Sequence, residues 1–443
     1  MGRSSISASS AILASAVGMG SVLILLKFGR KTRDEDGVND GEGGDTAYEQ
    51  LIERGTPIVR LRRVSKILGR SIYVKMESLN PGGTGKDRAA ISMIRHAEAS
   101  GLLPPPVTST TGETRNRRMS LTFDDSSSTI SQKDSGLWEK IKLAMVKSRS
   151  GGLFVEGTSG STGISLATLC AARGHAIFIV MPDDQSVEKQ KILRALGAFL
   201  YVVPTASISN PNHYVNIAKK AAELARSKGI QAVFGNQFEN IANYEVHYSM
   251  TGPEIYRQCP HLDAFVMSSG TGGTISGVGN FLKEQNQRIR ITLVDPPGSS
   301  LYNKVEHGVA YASEQQERTL RRHRYDTVAE GIGLDRITNN FNLGLESIDN
   351  AIRVSDQEAV DMAHWLMKTE GLWVGSSSAM NVVGAIRTAI DLPSGSTIVT
   401  MICDSGQRHS TRFWNRDFVE EWGLTWPSEQ NNIPECLKGI LTS

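Results

Sequence analysis

Gly152-Leu153-Phe154-Val155 runs directly into Glu156-Gly157-Thr158-Ser159-Gly160-Ser161-Thr162-Gly163, and helical spacing of apolar residues follows over 164–172. An apolar run, closed by a polar glycine-rich stretch and then a 3.6-residue period, reads as strand, loop and helix. The same succession recurs in residues 264–267, then Ser268-Ser269-Gly270-Thr271-Gly272-Gly273-Thr274, then 275–284. Apolar strands at 72–76, 176–181, 199–203 and 232–234 alternate with helical segments after Lys86 and at 188–196 and 214–228. Helical period also marks 359–367 and 382–390, with a late strand at 398–402. This alternation predicts an α/β protein with parallel or mostly parallel sheets and right-handed crossovers. A chain of 443 residues has room for two doubly wound subdomains. There is no internal repeat.

Two of the loops are rich in donors. In 156–163, short hydroxyl side chains and free backbone N–H groups converge on a helix start, an arrangement that holds a carboxylate; N-capping alone would use the same residues. In 268–274, three glycines expose N–H groups, the threonines add hydroxyls and the helix dipole favours an anion. That loop reads as a phosphate cradle, with a plain glycine turn as the alternative.

Asn80-Pro81-Gly82-Gly83-Thr84-Gly85-Lys86-Asp87-Arg88 places one lysine where a flexible turn meets a helix start. A nucleotide phosphate loop needs Gly-x-x-x-x-Gly-Lys followed by Ser or Thr. Here Asn80 and Asp87 occupy the first-glycine and hydroxyl positions, so that reading fails. A helix N-terminus opposes a cation, which suits a neutral or covalently used lysine; a solvated lysine beside a turn is the bland alternative. A poised lysine, a small-anion loop and a phosphate cradle without a P-loop together point to pyridoxal 5′-phosphate rather than ATP.

Asn-Pro-x-x-x-x-Lys-Asp-Arg, Thr-Ser-Gly-x-Thr-Gly and Gly-Thr-Gly-Gly-Thr occur in this order in the PLP-dependent cysteine synthases and cystathionine β-synthases, which the chain resembles from about residue 55 to 413. Gln237-Phe238-Glu239-Asn240, Asn243, His247, Thr251-Gly252-Pro253-Glu254, Glu330-Gly331-Ile332-Gly333 and Gly375-Ser376-Ser377-Ser378 extend the match. The resemblance implies a tryptophan synthase β-like fold with PLP in the cleft between the two subdomains, and a homodimer. It implies Lys86 as the catalytic Schiff-base lysine, Gly270, Thr271, Gly272, Gly273 and Thr274 at the phosphate, and Ser377 at the pyridine nitrogen. Thr158, Ser159, Thr162 and Gln237 match positions that hold the substrate α-carboxylate, and Ser161 lies beside the cofactor. A serine, unlike an aspartate, does not hold the ring nitrogen protonated, which favours β-elimination over deeper carbanion chemistry. The implied reaction is formation of L-cysteine from an O-activated serine and sulfide by β-replacement through an α-aminoacrylate. The alternatives are a cysteine desulfhydrase or related β-lyase releasing sulfide, pyruvate and ammonia, and a catalytically silent PLP-binding protein.

Three departures mark the chain. Cysteine synthases usually carry asparagine where Ser161 stands, and glycine where Ala379 ends the serine-rich loop. Lys86 and Thr158 are also 72 residues apart, farther than that family usually needs. Leu103-Pro104-Pro105-Pro106 opens the extra stretch, and its Ser, Thr and charge content predicts a disordered surface insertion over 104–150. Within it, Arg115-Asn116-Arg117-Arg118-Met119-Ser120 resembles a basic-directed phosphorylation site.

With 48 basic and 46 acidic residues, a formal charge of +2 gives no case for nucleic-acid binding. The four cysteines are widely spaced, with neither a CxxC pair nor a disulfide framework, so no metal site is expected and a reducing compartment is. Residues 11–26 are nearly uncharged and mostly apolar; Phe28 extends the run and Lys27, Arg30, Lys31 and Arg33 flank it. This reads as a membrane anchor over 11–28 with the body in the cytosol; a cleaved signal is the rival. Similarity to anchored fungal relatives places it on the mitochondrial outer membrane. The expected plan is an anchor with its basic flank over 1–33, a tether over 34–46, a catalytic domain over 47–427 and a tail over 428–443.

Overall fold

Strands β1 (Ile58–Arg60), β2 (Ser71–Met76), β3 (Gly152–Gly157), β4 (Ala176–Pro182), β5 (Phe199–Val203), β6 (Gln231–Phe234), β7 (Ala264–Ser268), β8 (Arg290–Asp295), β9 (Asn350–Arg353) and β10 (Thr397–Ile402) form two sheets in the computed structural model. The structure describes residues 46–107, 135–312, 327–428 and 434–441. The expected anchor and all of the tether but Thr46 lie outside them. Among the described residues no helix is long and apolar enough to cross a membrane.

One sheet has four strands in the order β5-β4-β3-β6, the other six in the order β1-β2-β10-β7-β8-β9. Every pairing is parallel except that of β1 with β2. All residues of β3 and β4 are buried, as expected of parallel strands covered on both faces.

In the smaller sheet the chain steps from β3 to β4 to β5, then returns to pair β6 on the other side of β3. In the larger it steps from β7 to β8 to β9, then places β10 on the other side of β7. Each reversal separates two neighbouring loops at the carboxyl ends of the strands and opens a crevice between them. The loops after β3 and β6, and those after β7 and β10, therefore converge on one cleft.

The larger sheet packs on the helix Ser376–Ile390, almost wholly buried. A Cβ on Gly384 would collide with Val294 of β8, so glycine there lets helix and sheet approach.

The disordered insertion expected over 104–150 needs correction at its carboxyl end. Ser135–Met145 is a helix that buries Trp138, Ile141, Ala144 and Met145 against β4 and the helix Tyr214–Ser227. Apolar residues at that spacing form one helical face, which a composition count over the whole insertion conceals. Val107 N–H donates to Arg173 O at 3.0 Å and Arg149 N–H to Gly174 O at 2.8 Å, so residues near both ends of the 104–150 stretch are tied to one corner. The Arg115 to Ser120 motif lies outside the described residues.

Candidate active site

Lys86 is the first residue of the helix Lys86–Ala99, and its N–H donates to Thr84 Oγ1 at 3.1 Å. The preceding turn is held from both ends: Gly82 N–H donates to Asp87 Oδ2 at 2.6 Å, and the Arg408 guanidinium donates to Gly82 O. Asp87, which rules out a nucleotide loop, thus shapes the turn; burial pushes its carboxyl up to about 6. Behind the turn, Arg88 pairs with Glu77 at 2.8 Å and with Glu254 at 2.7 Å, and Lys75 meets Glu254 at 2.8 Å. Burial acts to raise the Glu77 carboxyl, but Arg88 outweighs it and holds it at about 2. On this charge-locked base the Lys86 side chain lines the cleft without a hydrogen-bond or ion-pair partner among the described residues. Burial lowers its pKa, against a smaller opposing pull from Cys403 and Asp404.

Facing Lys86, the loop after β3 presents Ser159, Ser161 and Thr162 at the start of the helix Ser161–Arg173. The first N–H groups of a helix have no partner within it, so this wall offers backbone as well as hydroxyl donors. Gln237 closes the wall. Its Oε1 accepts from Thr162 Oγ1 at 2.6 Å, while Nε2 donates to Gly157 O at 3.3 Å and to Glu156 Oε1 at 3.4 Å. Asn236 before it has φ 50°, the one non-glycine residue with positive φ among those described, and asparagine tolerates that region well. Burial pushes the Glu156 carboxyl up to about 8, so it is protonated at neutral pH.

The third wall is the loop after β7, leading into the helix Gly273–Gln285. A Cβ on Gly270 would collide with Gly331 O, and one on Gly272 with the Phe341 backbone. The loop is packed tightly from behind, and Ser268 N–H is held there by Asn381 Oδ1 at 2.7 Å. Thr271 Oγ1 accepts from Asn243 Nδ2 at 2.9 Å, and Thr271 O accepts from Thr338 Oγ1 at 2.8 Å. The hydroxyls of Ser268 and Ser269, buried at the cleft, have no partner among the described residues. Such donors, at a glycine-lined helix start, fit a phosphate group.

Between these walls lies an ionised chain. Lys189 pairs with Glu330, Glu330 lies 3.5 Å from His409 Nδ1, and His409 Nε2 meets Asp404 Oδ2 at 2.9 Å. Burial acts to lower the His409 imidazole, but Asp404 and Glu330 outweigh it and raise it to about 9. Ser377, the second residue of Ser376–Ile390, lines the cleft beside Cys403, whose thiol burial pushes up to about 11.

The structure brings Lys86, Ser159, Ser161, Thr162, Gln237, Gly270, Thr271, Gly272, Thr274 and Ser377 to one cleft. Thr158 and Gly273 do not line it. The Thr158 hydroxyl turns back to accept from Gly160 N–H at 3.1 Å, and Gly273 packs against Asn243. Sequence reasoning missed Lys189, Cys403, Asp404 and His409 as lining residues. For Cys403 and Asp404 the signal was their position immediately after the strand at 398–402; Lys189 and His409 had none.

Residues 49–114 and 109–404 match the family described as pyridoxal-phosphate dependent enzyme. A protein named "Putative mitochondrial cysteine synthase" from Saccharomyces cerevisiae is 45% identical over 87% of this chain and 86% of its own length. Cysteine synthase 2 of Schizosaccharomyces pombe is 40% identical over 92% of this chain and 94% of its own. The crystal structure of an O-acetylserine dependent cystathionine beta-synthase from Helicobacter pylori superposes with a TM-score of 0.61 at 29% identity, covering 83% of this chain and 98% of that one. With these matches and a cleft whose lysine and anion loop suit the cofactor, the chain belongs to the pyridoxal-phosphate-dependent enzymes as a cysteine synthase-like member.

Proposed function

We propose that this enzyme joins sulfide to the β-carbon of an O-activated L-serine of the O-acetylserine type, forming L-cysteine as the O-linked group departs. The observation that carries this reading is Lys86, a desolvated amine without a described partner between a carboxylate-binding wall and an anion loop. Gly270, Thr271, Gly272, Gly273 and Thr274 would hold the phosphate, Ser377 and Ser161 the ring, and Lys86 the aldehyde carbon. Bound PLP supplies the electron sink that allows proton removal at the substrate Cα and departure of a β-substituent.

Ser159, Thr162, Gln237 and the loop begun by Thr158 receive the substrate α-carboxylate. Their hydroxyl, amide and helix-start N–H groups compensate its charge once water is excluded. Lys86 would take the Cα proton at Nζ. Burial, by lowering its pKa, raises its neutral share for that task. Incubation of the full chain with PLP, O-acetylserine and sulfide tests the reading: L-cysteine should accumulate with an equal amount of acetate. Pyruvate as the main product would overturn it.

A second reading, a desulfhydrase, is favoured by Ser161. Its short hydroxyl lines the cleft at the first helical position and offers no amide to a substrate. Sulfide and pyruvate released from L-cysteine, faster than cysteine is made, would establish that activity.

The same proposal has residues 11–28 anchoring the catalytic body, residues 47–427, to the mitochondrial outer membrane from the cytosolic side, as a homodimer. The apolar run with its basic flank supports the anchor, and the name of the yeast relative supports the organelle. Release of the full chain by carbonate extraction would refute the anchor, and a monomer mass in sedimentation would refute the dimer.

A further inference from the structure

His247 lies outside the substrate and cofactor roles assigned above, yet it lines the cleft and is buried. It opens a π-helical turn, His247–Thr251, that joins the helices Ala242–Val246 and Gly252–Gln258. Such turns alter the side-chain spacing of a helix and often occur at functional sites. The helix of the anion loop packs directly on this turn: a Cβ on Gly277 would come within 2.8 Å of His247 Cβ. Both ring nitrogens are engaged. Nδ1 lies 2.9 Å from Thr251 Oγ1, and Nε2 lies 3.2 Å from Thr274 Oγ1. Burial, reinforced by Lys86 and Arg88, lowers the imidazole to about 3, so the ring is neutral and carries one proton.

A neutral ring between two hydroxyls permits two hydrogen-bond directions. In one, Nδ1–H donates to Thr251 and Thr274 donates its only proton to Nε2, leaving Thr274 with lone pairs towards the cleft. In the other, Thr251 donates to Nδ1, Nε2–H donates to Thr274 Oγ1, and the Thr274 proton is free to face an anion. Thr274 is only partly buried and lines the anion loop. An acceptor-only hydroxyl there would repel a phosphate oxygen, so the bound anion selects the second direction.

We infer that His247 is a positioning residue that, as its Nε2–H tautomer, turns the Thr274 hydroxyl into a donor for the cofactor phosphate. This inference rests on the placement of the phosphate at residues 270–274. Gln at position 247 can present an amide donor near the Nε2 position, whereas the shorter Asn cannot. H247N should weaken PLP binding to the full chain by about tenfold, the effect of losing one hydrogen bond to a charged group. H247Q should restore most of the affinity, and pyridoxal, which lacks the phosphate, should bind all three proteins alike.

The test is a double-mutant cycle on PLP affinity, with T274A and H247N made singly and together, supported by histidine-selective 15N spectra of the PLP-bound protein. A double variant no weaker than T274A, with a proton on Nε2 of His247, is the expected result. Additive losses, or a proton on Nδ1, would overturn the inference alone. The spectra need no substitution, so a variant that fails to fold leaves the decision intact. If T274A leaves PLP affinity unchanged, the phosphate placement itself is wrong and this inference goes with it.

Discussion

The ammonium of Lys189, on a helix of the smaller sheet, pairs with the carboxylate of Glu330, on a loop of the larger one, and both line the cleft. Lys189 reaches that partner by running along Gly160, where a Cβ would meet its Cγ at 3.2 Å. The pair couples the wall formed by the loop after β3 to the Glu330-His409-Asp404 chain. Ser410 and Thr411 add bonds to Glu188 at 2.8 and 2.7 Å.

Lys189→Met should therefore loosen one half of the cleft from the other. Breaking a buried ion pair usually costs about 3–5 kcal/mol. Here the loss should be about 1–3 kcal/mol, since Arg412 at 3.1 Å and His409 still face Glu330. Denaturant unfolding measures it, and Glu330→Gln in the same background should recover part of the loss.

Glu156 predicts a pH dependence. Its folded pKa, about 8, lies above the ordinary 4.5, so the fold favours the protonated form. The associated stability is fully present below 4.5 and declines as pH rises, levelling off above about 8. The charge then appears behind Gln237 and opposes a substrate carboxylate. KM for the amino-acid substrate should climb several-fold above pH 8 in the native enzyme and stay flat in Glu156→Gln, while kcat changes little. A parallel climb in both proteins would exclude Glu156 as the cause.

Ser161→Asn should raise the ratio of cysteine to pyruvate formed from O-acetylserine and sulfide. The added amide reaches into the cleft from the first position of the helix and gives the wall a longer donor. An unchanged ratio, measured by product chromatography, would remove Ser161 from the account of specificity.

Trp138→Ala should destabilise the catalytic body by about 3–5 kcal/mol, the usual cost of deleting a buried aromatic. Trp138 is 2% exposed and belongs to the core between β4 and the helix Tyr214–Ser227. A loss below about 1 kcal/mol in thermal unfolding would mean the helix Ser135–Met145 is docked only loosely.

Much of this architecture was legible because glycine-rich loops follow apolar strands at each reversal of strand order. The Lys86 turn, the wall after β3 and the loop after β7 were each readable from a local run of residues. The strands β8 and β9 were harder, since Arg290 and Arg353 at their ends and a length of four residues in β9 blur the apolar signal. Ser135–Met145 was hidden by the composition around it. Lys189, Cys403, Asp404 and His409 carry no shared motif, and only folding brings them together. Thr158 shows the converse: its motif is intact, but a hydroxyl spent on Gly160 N–H does not face the cleft.

The central claim is that the Lys86 amine carries the cofactor, and its most direct measurement is borohydride reduction of the PLP-loaded full chain followed by peptide mass mapping. The account predicts a pyridoxyl group on Lys86 Nζ, present in stoichiometric amount and lost in Lys86→Ala. A label on another lysine, or an unlabelled Lys86 peptide from fully loaded protein, would contradict it.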